Sequence, residues 1–326
     1  MRNEFVYTSH SHVTSNCLRD FFPEAGNEEI IKYIPAFARS KGILKRAVFS
    51  LKYSKYIPMF IKQRYYNFLH LDFKDDVMYH ILISTLTVAK LDIKILESFL
   101  KKHKNVRIYA ILVDSMDAGS VHMTKEVKLN LLNPLWTSVF TYDKYDAEKY
   151  GFDYIGFNIY STWDFVEADG NYSDCYYVGY NKGNREELTL AIYNYVRAAG
   201  IHARFDVVSK TPNLNNDLEY LTKTIQYNEI VSRVKSSNCI IEILQEGQKT
   251  QTLRWFEAIA YNKKLLTNNK NISNLPFYNE KYMKYFEKAE DIDIEWLTKK
   301  DEIDYGYSGE FSPLNIIDTI KRGVEF

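Results

Sequence analysis

Three stretches carry residue types able to do chemistry. In Gly179-Tyr180-Asn181-Lys182-Gly183-Asn184-Arg185, two glycines bracket a turn with a lysine and an arginine. Backbone approaches an anion closely at glycine, and Lys182 and Arg185 would neutralise its charge. Neither lysine nor Ser/Thr follows Gly183, so this is no Walker A loop. In the second stretch, Gln245-Glu246-Gly247-Gln248 leads to Thr250 and Thr252, either of which can cap a helix. Arg254 and Glu257 then fall three apart on one helix face. By spacing alone they are either a surface ion pair of small energetic weight or groups offered to a ligand. The third stretch is Ser9 to Asn16, where His10 and His12 sit at alternate positions. They are either solvated loop histidines or candidates for a general base, since histidine titrates near neutral pH. No third metal ligand accompanies them. Asp114 follows an apolar run and either faces a site or caps the next helix.

These groups must be positioned by alternating strands and helices. Around the second stretch, Cys239 to Leu244 reads as a buried strand. Leu253 to Tyr261 reads as a helix, with Lys263 and Lys264 at its C-terminal end, and Leu265 to Thr267 as the next strand. Such a strand, loop, helix, strand unit presents a ligand at the carboxyl end of a parallel sheet. The same pattern appears throughout. Phe5 to Thr8, Val77 to Ser84, Val106 to Val113, Val139 to Tyr142, Cys175 to Val178 and Ala203 to Val208 read as strands. A helix is expected from near Leu18, others at Leu91 to His103, Glu186 to Ala199 and Tyr227 to Val234, and an edge element at Ile292 to Leu297. Ser312-Pro313 opens a last helix, Leu314 to Gly323.

Composition removes several function classes. Lysine plus arginine equal aspartate plus glutamate at 42 each, which offers no argument for nucleic acid as a partner. The three cysteines, Cys17, Cys175 and Cys239, have no paired spacing, and reduced thiols in a cytoplasm are expected. No zinc spacing, signal peptide or membrane span is evident. Asp291-Ile292-Asp293 has the letters of a metal-holding motif, but it lies late in the chain, beside a loop.

The run from the Gln/Gly loop through Thr-Leu-Arg-x-x-Glu-Ala to a strand ending Thr-Asn-Asn resembles the donor-binding segment of GT-B-type glycosyltransferases. It looks most like those that build bacterial surface polysaccharide and lipopolysaccharide. Gly179 to Arg185 resembles the Gly-x-x-Lys-Gly-x-Arg turn of that family. Thr141-Tyr142-Asp143-x-x-Asp146-Ala147-x-x-Tyr150-Gly151 resembles a run at the end of its N-terminal domain. The resemblance implies an α/β fold of two Rossmann-like domains facing across a cleft. Residues 1–160 would form the acceptor-side domain, 161–174 a linker and 175–311 the nucleotide-sugar domain. Residues 312–326 would form a helix returning to the first domain. It also implies that Gly179, Lys182, Arg185, Gln245, Gly247, Thr252 and Arg254 surround the diphosphate and that Glu257 holds the ribose hydroxyls. Acceptor activation would fall to His10, His12 or Asp114. The nucleotide sugar would be a co-substrate, with no cofactor and no metal. Position 249, eight before Glu257, is Lys249 where retaining members carry a glutamate, so stereochemistry stays open.

Lys41 to Arg64 holds seven basic residues and no acid, interleaved with apolar ones. It reads as a solvated helix over core or as a surface for anionic lipid, consistent with a protein at the inner face of the cell membrane. Two other classes stand beside the transferase: a degenerate transferase acting as scaffold in polysaccharide assembly, and a sugar-nucleotide epimerase of similar build.

Overall fold

A computed structural model describes residues 2–10, 17–37, 48, 56–117, 123–181, 185–209, 218–244 and 251–323. The chain divides into two compact units, Met1–Ser161 with Glu310–Phe326, and Thr162–Gly309.

In the first unit the strands are β1 (Arg2–Ser9), β2 (Lys32–Pro35), β3 (Val77–Ser84), β4 (Val106–Ile111), β5 (Ser138–Thr141) and β6 (Asp153–Tyr154). Their order is β2-β1-β3-β4-β5-β6, and every pairing is parallel. Ile81, Leu82 and Ile83 are all fully buried, so β3 is covered on both faces, as its unbroken apolar run requires. The helices are α1 (Met59–Gln63), α2 (Thr85–Val88), α3 (Ile93–Lys102), α4 (Lys125–Leu131) and α5 (Lys144–Tyr150). The α3 helix starts two residues later than expected because Asp92 caps it, accepting from the Lys94 N–H. Asp143 accepts from the N–H groups of Tyr145 and Asp146, and Gly151 ends α5 at φ 70°. The helix expected near Leu18 is instead two 3-10 turns, Arg19–Phe21 and Pro23–Ala25. Pro23 has no N–H to continue a helical ladder through that point.

The second unit runs β7 (Ser173–Tyr180), α6 (Arg185–Ala198), β8 (Ala203–Val208), β9 (Tyr220–Leu221), α7 (Tyr227–Lys235), β10 (Ser237–Glu242), α8 (Leu253–Ala260), β11 (Lys264–Thr267), β12 (Met283–Tyr285) and α9 (Ile294–Thr298). Its order is β12-β11-β10-β7-β8-β9, again all parallel. Residues 162–172 pack as part of this unit. Lys235 Nζ donates to the carbonyls of Trp163, Asp164 and Val166, and the Trp163 N–H donates to the Tyr261 hydroxyl at 2.8 Å.

Two expectations are corrected here. Lys264 does not sit at a helix end: it opens β11, fully buried, with Nζ bonded to the Trp296 carbonyl and paired to Asp301. The edge expected at Ile292 to Leu297 is α9, capped by Asp293 accepting from the Trp296 N–H, and β12 forms the edge. A short apolar run does not by itself separate strand from helix; the cap does. The chain ends with α10 (Asn315–Gly323), which belongs to the first unit and buries Ile316, Ile317 and Ile320.

Candidate nucleotide site

In the second unit the chain builds outward from β7 to β8 and β9, then returns to the other side of β7 with β10. The strands β7 and β10 are therefore the topological switch point, where an open parallel sheet leaves a crevice at its carboxyl end. The chain leaves that point after Tyr180 and after Glu242, and the two glycine-containing motifs run on from these strand ends. Lys182, Gln245 and Gly247 lie outside the described residues, as does Thr250.

On the β7 side, Gly179 and Tyr180 are the last residues of the strand, not part of a turn. The Asn181 N–H still bonds to the Val208 carbonyl at 2.8 Å. A Cβ on Gly179 would lie 2.6 Å from the Tyr177 hydroxyl and 3.5 Å from Arg185 Nη1. The glycine thus makes room for the protein's own Tyr177 and Arg185. Arg185 opens α6, and its buried Nε has no hydrogen-bond partner among the described residues.

On the β10 side the structure adds an acid that the motifs did not include. Glu242, the last residue of β10, is fully buried. Its Oε1 accepts from the Thr252 N–H at 2.8 Å and the Thr252 hydroxyl at 2.7 Å, and its Oε2 accepts from the Thr267 hydroxyl at 2.6 Å. Burial pushes its pKa up, while the two threonines and Arg254 pull it back. Of the two threonines that could cap α8, Thr252 does so, accepting from the Arg254 N–H. The signal for Glu242 was an acid closing an apolar strand, which alone does not name a partner.

Arg254 and Glu257 are not a surface pair. Arg254 is 8% exposed and Glu257 0%, with Nη2 and Oε1 2.6 Å apart. The Tyr227 hydroxyl donates to the same Oε1 at 2.8 Å, and Oε2 has no partner among the described residues. Burial lifts the Glu257 pKa to about 7; Arg254 and Tyr227 oppose the rise and nearby Glu242 adds to it. Removing one partner of such a buried pair costs about 3–5 kcal/mol, because the other charge stays desolvated.

In the first unit, His10 follows β1 directly, at the switch point between β1 and β3. Its N–H donates to Thr87 Oγ1 at 3.0 Å, and Nδ1 lies 3.5 Å from the same atom. His12 lies outside the described residues. Asp114 follows β4, and the next helix among the described residues, α4, is capped by Thr124. The Asp114 charge contributes to raising the pKa of Tyr142, behind the larger effect of burial. Because β3 lies between β1 and β4, His10 and Asp114 leave from strands that are not neighbours.

Asp291 accepts from the N–H groups of Glu287 and Lys288, and Asp293 caps α9, so both acids of the Asp-x-Asp run serve as local caps. Among the described residues, no group of three histidine, cysteine or acidic side chains is placed to hold a metal, and no helix is long and apolar enough to cross a membrane.

No family model matches the chain, and the comparison with curated proteins found no match. Solved structures are similar. One is an α-glucosyltransferase (AGT) in complex with UDP, at TM-score 0.53 and 12% identity, covering 99% of each chain. Another is a protein from Listeria monocytogenes assigned as a UDP-N-acetylglucosamine 2-epimerase, at TM-score 0.51 and 9% identity, covering 100% of this chain and 97% of that one. The fold is the α/β fold of two Rossmann-like units found in GT-B proteins.

Proposed function

We propose that the chain is a nucleotide-sugar-dependent glycosyltransferase acting on a glycan or lipid-linked acceptor in cell-surface polysaccharide synthesis. The observation that carries this reading is the adjacency of β7 and β10, which brings the origins of both motif loops to one switch point. Lys182, Arg185 and the amides near Gly247, with Gln245 beside them, would surround the diphosphate. The first turns of α6 and α8 add their dipoles. Thr252 would fix the start of α8. Arg254 Nη2 holds the Glu257 carboxylate, and in this reading the same guanidinium, which carries five N–H donors, also assists at the diphosphate. The second oxygen of Glu257 is an acceptor suited to a pentose hydroxyl.

In the transfer, an acceptor oxygen attacks the anomeric carbon as its bond to the diphosphate breaks. The acceptor proton passes to a base, for which His10, His12 and Asp114 are the candidates, and the leaving diphosphate is neutralised by Lys182 and Arg185. No metal is invoked for holding the donor, and EDTA should leave turnover intact. Residues 1–161 are proposed as the acceptor-side unit. Cytoplasmic residence with contact to anionic membrane through 41–64 is part of the same reading. Of that stretch, Lys41, Lys45, Arg46, Lys52 and Lys55 lie outside the described residues, Tyr56 and Phe60 are 72% and 62% exposed, and Lys62 is buried against Asp92.

Two competing readings have observations in their favour. Glu257 has no exposed surface, as a purely structural ion pair would, so a pentose reaches it only if the residues over it shift. An epimerase shares the fold. Calorimetric titration with UDP, GDP and CMP separates a donor site from a scaffold: the transferase reading expects one nucleotide to bind, and the scaffold expects none. An epimerase would convert the free nucleotide sugar with no acceptor added, and a transferase would not. E257Q weakening nucleotide binding at least fivefold, with folding retained, argues for the pentose role; unchanged binding sinks it.

A further inference from the structure

We propose that Glu242 and Asn268 are positioning residues that clamp the two ends of the loop between β10 and α8. Asn268 Oδ1 accepts the Leu244 N–H at 2.7 Å, which holds the chain as it leaves the sheet. Glu242 accepts the Thr252 N–H at 2.8 Å, which holds the chain where it enters the helix. Both ends are thereby tied to the sheet, one through the residue that follows β11 and one through the last residue of β10.

The proton count supports a designed latch. Thr252 donates its hydroxyl to Glu242 and accepts from the Arg254 N–H. Thr267 donates its hydroxyl to Glu242 and accepts from the Asn269 N–H. Each hydroxyl is used once as donor and once as acceptor, and the carboxylate accepts three hydrogen bonds in a fully buried site. Charge-assisted bonds to a desolvated acceptor are the stronger kind. Burying an acid is costly, and one fold-level return is that the loop ends are fixed before any ligand arrives. Ordering a loop in advance raises affinity because less is lost on binding.

The consequence for a ligand rests on the nucleotide-site reading above; the clamp itself does not. The variants are N268A, E242L and E242Q. Leucine fills the space and accepts nothing. Glutamine keeps one carbonyl oxygen for both Thr252 donors and can donate its amide to Thr267, which is still able to accept. Two measurements are made on the full chain, well below its melting temperature: affinity for UDP, GDP and CMP by calorimetry, and amide hydrogen exchange over 244–252. N268A and E242L should each weaken binding of whichever of these nucleotides the wild type takes about tenfold and speed exchange in that window, with exchange elsewhere unchanged. E242Q should stay within about threefold of wild type. Should E242L not fold, N268A decides alone. Wild-type affinity together with wild-type exchange in the folded variants overturns the clamp. If the wild-type chain binds none of UDP, GDP and CMP, the nucleotide reading fails while the exchange data still test the clamp.

Discussion

At the residue scale, Glu257 sets a pH dependence whose sign can be worked out. Its folded pKa of about 7 lies above the ordinary value of 4.5, so the fold favours the protonated form. Its contribution to stability is fully present below about pH 4.5 and is lost as pH rises through 7. The difference is worth roughly 3 kcal/mol at most. Melting temperatures from pH 5 to pH 8 should therefore fall more steeply for wild type than for E257Q, which cannot titrate. Nucleotide affinity should run the opposite way over the same range, because only the carboxylate accepts from two hydroxyls without donating. Parallel slopes for the two proteins would show that Glu257 titrates elsewhere. At this scale Thr252, Arg254 and Glu257 were legible from spacing. Glu242 was not, because an acid at a strand end gains its meaning from Thr252, ten residues away, and Thr267, 25 residues away.

At the element scale, the start of α8 is the joint on which the candidate site turns. T252A removes the cap and takes one hydroxyl donor from a buried carboxylate, and should cost about 2 kcal/mol in urea unfolding. T252S keeps both bonds and should stay within about 0.5 kcal/mol of wild type. Equal losses for the two would mean that the methyl group, not the hydroxyl, matters. Caps of this kind were readable along the chain: Thr252 on α8 and Asp143 on α5 both behave as their local sequence implies. The failures came where local signals were weak. Ile292 to Leu297 is too short for its period to separate helix from strand, and Lys264 follows a helix end so closely that its place in β11 is hidden.

At the scale of the whole molecule, the two units make separate predictions. The second is continuous in sequence, Thr162–Gly309, and has its own core around Cys239, Ile241 and Leu266. Expressed alone, 162–309 should unfold cooperatively and keep the nucleotide affinity of the full chain. Loss of affinity in a folded fragment would show that the site needs more than this unit. The first unit is discontinuous, and α10 completes it with three buried isoleucines. Truncation at residue 309 should expose their partners at roughly 2 kcal/mol per side chain, lowering the melting transition of the first unit. Nucleotide binding by the second unit should persist.

The amino-acid sequence by itself determined the alternation of strands and helices, the caps that begin several of them, and the spacing that puts Arg254 and Glu257 on one helix. These depend on spacing over a few residues, which propensity and periodicity encode locally. Tertiary structure alone decided the strand order that makes β7 and β10 neighbours, the burial that turns Arg254 and Glu257 from a surface pair into a desolvated one, and the donors that converge on Glu242. Each of these depends on a crossover that joins segments far apart in the chain, and no local pattern specifies which distant donor or neighbour a residue will meet.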